Sequence, residues 1–290
     1  MSDNKTPTCY LCNNTHFNKR AGEVRDNKEL EIIECSNCGL VTLSSLSHIK
    51  ERHYEEGKMH NEELSITTWQ QETEVDDQRR FELLKNKITG KKILDFGCGN
   101  GGFLLKTRST TKVSDGVELE ERLQPYFKDM NLNVMKSIDE ALKNQHCKYD
   151  VITSFHVFEH LTEPKLMLNE LAKLLNDGGE IIIEVPSSED ALLTLYENNA
   201  FSKFTYWSQH LYLFNQHTMK DLINQSGLKI NWIKQVQRYS LSNHLYWLSK
   251  GKPGGHKIWA FFDDKLLDEA YSHQLASIGK CDTIMASISK

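Results

Sequence analysis

Nowhere in the 290 residues does an apolar run approach the ~20 residues that a membrane-spanning helix needs. Met1 to Thr8 are polar and lack the apolar stretch of a secretory signal. A cytosolic location is therefore expected, where thiols stay reduced. A surplus of positive charge is also missing: 35 Lys/Arg stand against 40 Asp/Glu, a formal net charge of -5. Residues 1–40 hold five basic against six acidic side chains, and residues 41–90 hold seven against ten. Neither stretch is composed to neutralise phosphates, which argues against nucleic acid as the main partner. Internal repeats and low-complexity tracts are absent too. What remains is the composition of a globular protein, long enough for one substantial α/β domain with smaller attachments.

Four of the seven cysteines form two pairs, Cys9-Tyr-Leu-Cys12 and Cys35-Ser-Asn-Cys38, with 22 residues between them. Two such knuckles can close four thiolates into the tetrahedron that Zn2+ prefers, and Gly39 lets the second knuckle turn tightly. A short strand is expected within Glu29–Glu34, which completes the layout of a zinc ribbon over residues 1–45. Four cysteines fill the coordination shell, so the metal would be structural rather than catalytic. Free thiols are the competing reading; disulfides do not suit a reducing compartment. Cys98, Cys147 and Cys281 are scattered and read as small residues of ordinary type.

Residues 46–90 read as a polar helical connector sprinkled with aromatics (Tyr54, Trp69, Phe81), with an exposed helix over 72–87. From Lys91 strands alternate with helices. Strands are expected at Ile93–Phe96, Val113–Glu118, Asn133–Met135, Tyr149–Phe155, Glu180–Val185, Lys229–Val236 and Asp282–Ser287. Helices fall at Phe103–Arg108, through Tyr126 and Phe127, at Asp139–Leu142 and at Pro164–Leu175. Such repeated units imply a doubly wound α/β sheet, with ligands at the carboxyl ends of its strands. The sheet domain would occupy residues 91–240, and residues 241–290 would hold a substrate-side insertion and the final strand.

Where the first of these strands meets its helix stands Asp95-Phe-Gly-Cys-Gly-Asn-Gly-Gly102. Glycines at 97, 99 and 101 permit a tight turn and close approach of a ligand to the backbone. Glu118 ends the second strand, where a carboxylate can accept the hydroxyls of a ribose. Gly97-x-Gly99-x-x-Gly102 also fits a nicotinamide fingerprint, but Asp95 at the loop entrance suits a cationic ligand better than a pyrophosphate.

This segment resembles motif I of the class I S-adenosylmethionine (AdoMet)-dependent methyltransferases. Gly-Val-Glu118-Leu resembles their ribose motif, Phe155-His-Val-Phe-Glu-His160-Leu their fourth-strand motif, and Gly178-Gly-Glu-Ile-Ile-Ile-Glu-Val-Pro186 their fifth strand. The resemblance spans about residues 80–240 and implies a Rossmann-like sheet of seven strands. It implies AdoMet contacts from Asp95, Gly97, Cys98, Gly99, Gly101, Glu118, Leu119 and Phe155, with Ser137 and Ile138 beside the adenine. Many members carry an acidic residue where Ser137 stands.

A sulfonium leaves readily, so the protein must align the acceptor and, for a hydroxyl, remove a proton. His160, then His156, and His210 third, are the candidate bases; each could equally pack or border the cofactor. Phe204–Phe214 reads as an acceptor lid, with Tyr206 and Tyr212 as substrate contacts against core packing as the alternative. Asn243-His244 and the turn Lys250–Lys257, including Lys252 and His256, read as an anion cradle or as an exposed basic turn. A zinc ribbon joined to this domain resembles sugar-modifying methyltransferases of bacterial glycan and antibiotic pathways. The expected acceptor is thus a small phosphorylated or nucleotide-linked sugar, methylated on oxygen. A zinc-module RNA methyltransferase and a non-catalytic ribbon adaptor are the alternatives.

Overall fold

A computed structural model of the chain describes residues 7–50, 53, 65–143 and 148–290. Tyr54, Cys147 and most of the connector between 50 and 65 lie outside the described residues. Eleven strands and two sheets organise these parts. The smaller sheet uses β1 (Phe17–Lys19), β2 (Ile32–Cys35), β3 (Val41–Leu43) and, far along the chain, β9 (Tyr212–Leu213). The larger uses β4 (Lys92–Phe96), β5 (Val113–Val117), β6 (Asn133–Met135), β7 (Tyr149–Phe155), β8 (Leu175–Pro186), β10 (Lys229–Val236) and β11 (Thr283–Ser289).

The large sheet runs in the order β10-β11-β8-β7-β4-β5-β6. Strands β4 to β8 pair in parallel, while β11 runs antiparallel to both β8 and β10. The chain leaves β4 towards β5 on one side and returns to pair β7 on the other. That reversal opens a crevice at the carboxyl ends of β4 and β7. These strands are covered on both faces, so β4 and β7 read as near-continuous apolar runs rather than alternating ones. Each expected strand of the large sheet is found within a few residues of its expected bounds, β8 beginning five residues early.

One expectation changes. The helix foreseen as exposed over 72–87 is α1 (Ile66–Ile88), and it buries Asp77, Arg80, Leu84 and Ile88. Spacings of three and four residues put these on one face of a helix, and that face lies on the large sheet. The Ser65 side chain caps its first turn by accepting from the Thr68 amide.

The amino-terminal strands do not stand apart either. β3 pairs with β9, and the ribbon residues Leu11, Leu40 and Val41 belong to one apolar cluster with Ile183 and Phe214. Among the described residues no helix is long and apolar enough to cross a membrane.

Candidate active site

Strand β4 ends at Phe96, and the chain turns through Gly97, Gly99 and Gly101, all with positive φ, into α2 (Gly102–Thr107). A Cβ on Gly97 would sit 2.3 Å from Val157 Cγ2, so the close passage of the loop under the segment after β7 depends on glycine there. Glu118 fastens the loop from the neighbouring strand, accepting from the Gly99 amide at 2.8 Å and the Glu120 amide at 2.9 Å. Asp95 is fully buried and accepts from Thr153 Oγ1 at 2.7 Å. Burial pushes the Asp95 carboxyl up to about 7 and also raises that of Glu118. Two buried acids at one loop form a setting for a cationic ligand with hydroxyls, and AdoMet is such a ligand.

A cavity of about 450 Å³ opens over this loop. Asp95, Gly97, Cys98, Glu118, Leu119 and Phe155 line it, as do all three candidate bases, His156, His160 and His210. Gly99 contributes its amide to Glu118, and Gly101 caps α2 in a left-handed conformation. Ser137 lies outside the cavity, where its hydroxyl accepts from the Glu140 amide. Ile138 borders a second, shallower cavity that shares Leu161 with the first.

Helix α1 supplies wall that was not foreseen: Trp69, Thr73, Asp77 and Arg80. The Arg80 guanidinium lies 4.6 Å from the centre of the Phe155 ring and donates to the buried Glu184 at 2.7 and 3.0 Å. Arg79 donates to the same carboxylate at 2.9 Å. Burial alone would raise the Glu184 carboxyl, but the two arginines and His156 hold it well below the usual range. Arg238 and Tyr239, just past β10, close the same side, with Arg238 paired to Asp76 of α1. The α1 signal was present in the sequence as the 77-80-84-88 spacing, but its first two members are charged.

The histidines sit where β7 ends. His156 adopts φ +56°, a conformation uncommon outside glycine, which aims its ring between Glu159 Oε1 (3.2 Å) and Glu184 Oε1 (3.4 Å). The His160 Nδ1 donates to the Gln209 carbonyl at 2.7 Å, and burial lowers its pKa. The His210 ring centre is 5.0 Å from that of His160, and burial beside His160 pushes its pKa down to about 3. Glu159, between them, is fully buried; its contacts with His156 and His160 outweigh desolvation and keep it ionised.

The six expected substrate contacts lie outside the cavity. Tyr206 is buried against Gly22, and Tyr212, on β9, packs its ring 5.4 Å from that of Tyr10. Asn243 and His244 are buried within the helix Leu241–Lys250, with His244 between Tyr271 Oη and Gln237. His256 meets Asn243 and packs beside Tyr239, and Lys252 is exposed on the following turn. The lid segment contributes Trp207 and His210 instead. A strand-and-turn segment alternates the direction of its side chains, so neighbours of a lining residue need not line.

The four cysteines of the knuckles come together in the small sheet. Sγ of Cys9 lies 3.5 Å from that of Cys38, and Cys12 is 3.4 Å from Cys35. All four sulfurs fall within 4.8 Å of one another, close to the ~3.8 Å edges of a tetrahedron with ~2.3 Å Zn–S bonds. The donor set therefore suits zinc.

A family model described as a methyltransferase domain matches residues 69–231, more than half of the chain. The chain belongs to this methyltransferase family. Its relatives share less than their whole length with it. The ubiquinone biosynthesis O-methyltransferase of Coxiella burnetii is 28% identical over 35% of this chain and 47% of its own. A tRNA U34 carboxymethyltransferase of Campylobacter concisus is 26% identical over 49% of this chain and 57% of its own. The chain thus spans about half the length of the curated relatives it matches.

Among solved structures, a SAM-dependent methyltransferase of Thermotoga maritima, described as a possible histamine N-methyltransferase, matches 78% of this chain and 95% of its own. Its TM-score is 0.50 at 18% identity. The plantazolicin methyltransferase, solved with SAH, matches 78% of this chain and 89% of its own with a TM-score of 0.50 at 15% identity. At these identities the likeness is one of fold. The chain thus carries a methyltransferase domain with the α/β fold of these structures.

Proposed function

We propose that this methyltransferase transfers the methyl group of AdoMet to a hydroxyl of a small metabolite, in the cytosol. The observation that carries the reading is one cavity lined both by the buried Asp95 with Glu118 beside the glycine loop and by Glu159, His160 and His210. AdoMet, when bound, supplies a methyl group on a sulfonium that leaves without protonation.

Glu118 would accept the ribose hydroxyls, and Asp95 the methionine ammonium, directly or through water. The 97–101 backbone would lie beneath the methionine moiety. Trp69 and Arg80 roof the site and exclude water, which would otherwise compete for the methyl group. Trp207 and Tyr239 offer aromatic faces to a ring-bearing acceptor, and the Glu159–His160–His210 cluster stands where the hydroxyl must give up its proton. The four thiolates hold a structural zinc, Cys9 and Cys12 with Cys35 and Cys38.

A sugar remains the acceptor we favour. Support for a phosphate on it is limited to the basic turn 250–257, which approaches the cavity only through His256 beside Tyr239. Glu72, Asp76 and Glu120 on the cavity wall and the net charge of -5 favour a small acceptor over RNA.

The test is isotope-labelled AdoMet with wild-type protein and fractionated cell extract, read by mass spectrometry. Label should enter a small hydroxylated metabolite; label confined to RNA would overturn the reading. His160→Asn and His210→Asn should each slow transfer by ~10²–10⁴-fold while AdoMet still binds.

A further inference from the structure

Three atoms that bear lone pairs face one another at the acceptor end of the cavity. Glu159, His160 and His210 each present one ligand atom, all within 4.8 Å of one another. The His160 Nδ1 lies 2.7 Å from the Gln209 carbonyl oxygen, which can only accept, so Nδ1 carries the proton and Nε2 is left with its lone pair. That Nε2 stands 4.0 Å from Glu159 Oε1. The other carboxylate oxygen, Glu159 Oε2, and the His210 Nδ1 are both sealed from solvent and make no hydrogen bond among the described residues. A buried carboxylate oxygen without a partner is costly. A cation held among the three residues would satisfy the Glu159 oxygen and the His210 nitrogen at once.

We propose that Glu159, His160 and His210 bind one divalent transition-metal cation at the acceptor end of the cavity. Two imidazoles and one carboxylate suit Zn2+, Mn2+, Co2+ or Fe2+; Mg2+ and Ca2+ favour all-oxygen shells. Bonds of ~2.0–2.2 Å require the three atoms to draw in by about 1 Å, within reach of side-chain rotation. The His160–Gln209 hydrogen bond already fixes the ring with Nε2 forward.

Three protein ligands leave a coordination position open to the cavity, in contrast to the closed shell of four thiolates. As to what fills that position, the inference rests on the proposed function: it is the acceptor's hydroxyl oxygen. The cation lowers the pKa of that hydroxyl, whose proton passes to solvent. The oxygen lone pair then forms the O–CH3 bond as the S–CH3 bond breaks with its electron pair returning to sulfur.

The experiment uses the full chain with its ribbon zinc loaded, titrated with Mn2+ and followed by the loss of the free-ion EPR signal. Wild-type protein should bind one Mn2+ per chain beyond the ribbon metal. Glu159→Gln and His210→Ala should each weaken that binding by roughly tenfold or more, with AdoMet affinity unchanged by calorimetry as the check on folding. No uptake of Mn2+ up to millimolar concentration, with or without AdoMet, overturns the site; so does equal uptake by wild type and both variants. Label transfer to a metabolite without Mn2+ uptake sinks the cation and keeps the function. Mn2+ uptake with label only in RNA does the reverse.

Discussion

At neutral pH the Asp95 carboxyl is divided between its two forms, because burial has lifted its pKa to about 7. A cation arriving beside it favours the carboxylate, so binding AdoMet should expel a proton. AdoMet affinity is therefore expected to climb as pH rises through about 7 and to level off above it. In Asp95→Asn the affinity should be lower and flat across that window, with calorimetry in buffers of different ionisation heat counting the proton. The same shift acts on the ligand-free fold with the opposite slope. Native Asp95 keeps a proton that the unfolded chain gives up near ~3.9, so this contribution to stability is full below that pH and is lost as pH rises to about 7. Asp95 and Glu118 were legible in the sequence because a glycine loop between strand and helix dictates where such groups must stand. Which of residues 204–214 line the cavity was not, because that depends on pairing with a strand far away in the chain.

Helix α1 shows how an element can be located and still be misjudged. It begins six residues earlier than expected, and charged residues at 76, 77, 79 and 80 made its inner face look solvated. The missing partner was Glu184, a carboxylate within the apolar stretch 181–185 of β8, with which Arg79 and Arg80 form ion pairs. Sequence patterning scores such a face as polar because it cannot see two opposite charges meeting across 104 residues of chain. The central strands β4 and β7 posed no such difficulty, being near-continuous apolar runs. Removing Arg80 leaves a fully buried carboxylate with only Arg79 and His156 beside it. Arg80→Ala should cost ~3–5 kcal/mol of stability by urea denaturation. Arg80→Ala with Glu184→Gln should recover part of that loss, since residue 184 then carries no charge to strand. Equal stability of the single and double variants would show that packing of Arg80 on Phe155 carries the effect instead.

Across the whole molecule, the amino-terminal sheet and the acceptor wall are one construction. β9 completes the small sheet, and Thr42 Oγ1 donates to the Leu211 carbonyl at 2.8 Å. Asp26 accepts from the amide and hydroxyl of Ser208 at 2.9 and 2.6 Å, His48 donates to the Ser208 carbonyl at 2.7 Å, and Arg25 stacks 4.8 Å from the centre of the Trp207 ring. Trp207 and His210 therefore hold their places against the ribbon as much as against the large sheet. Losing the metal should be felt there. Cys35→Ser is expected to raise hydrogen exchange in residues 206–214 together with residues 9–43. It should reduce methyl transfer at least tenfold and leave AdoMet affinity within about twofold, since Asp95 and Glu118 lie on other strands. Exchange rising only before residue 45 would mean that the ribbon folds for itself alone. A chimera makes the same point from the engineer's side. Grafting another family member's ribbon onto this chain would transplant half of a wall, with Asp26 and Arg25 exchanged but Ser208 and Trp207 left behind. To change what this enzyme accepts, residues 7–50 and 204–215 have to travel as a pair, although they are written more than 150 residues apart.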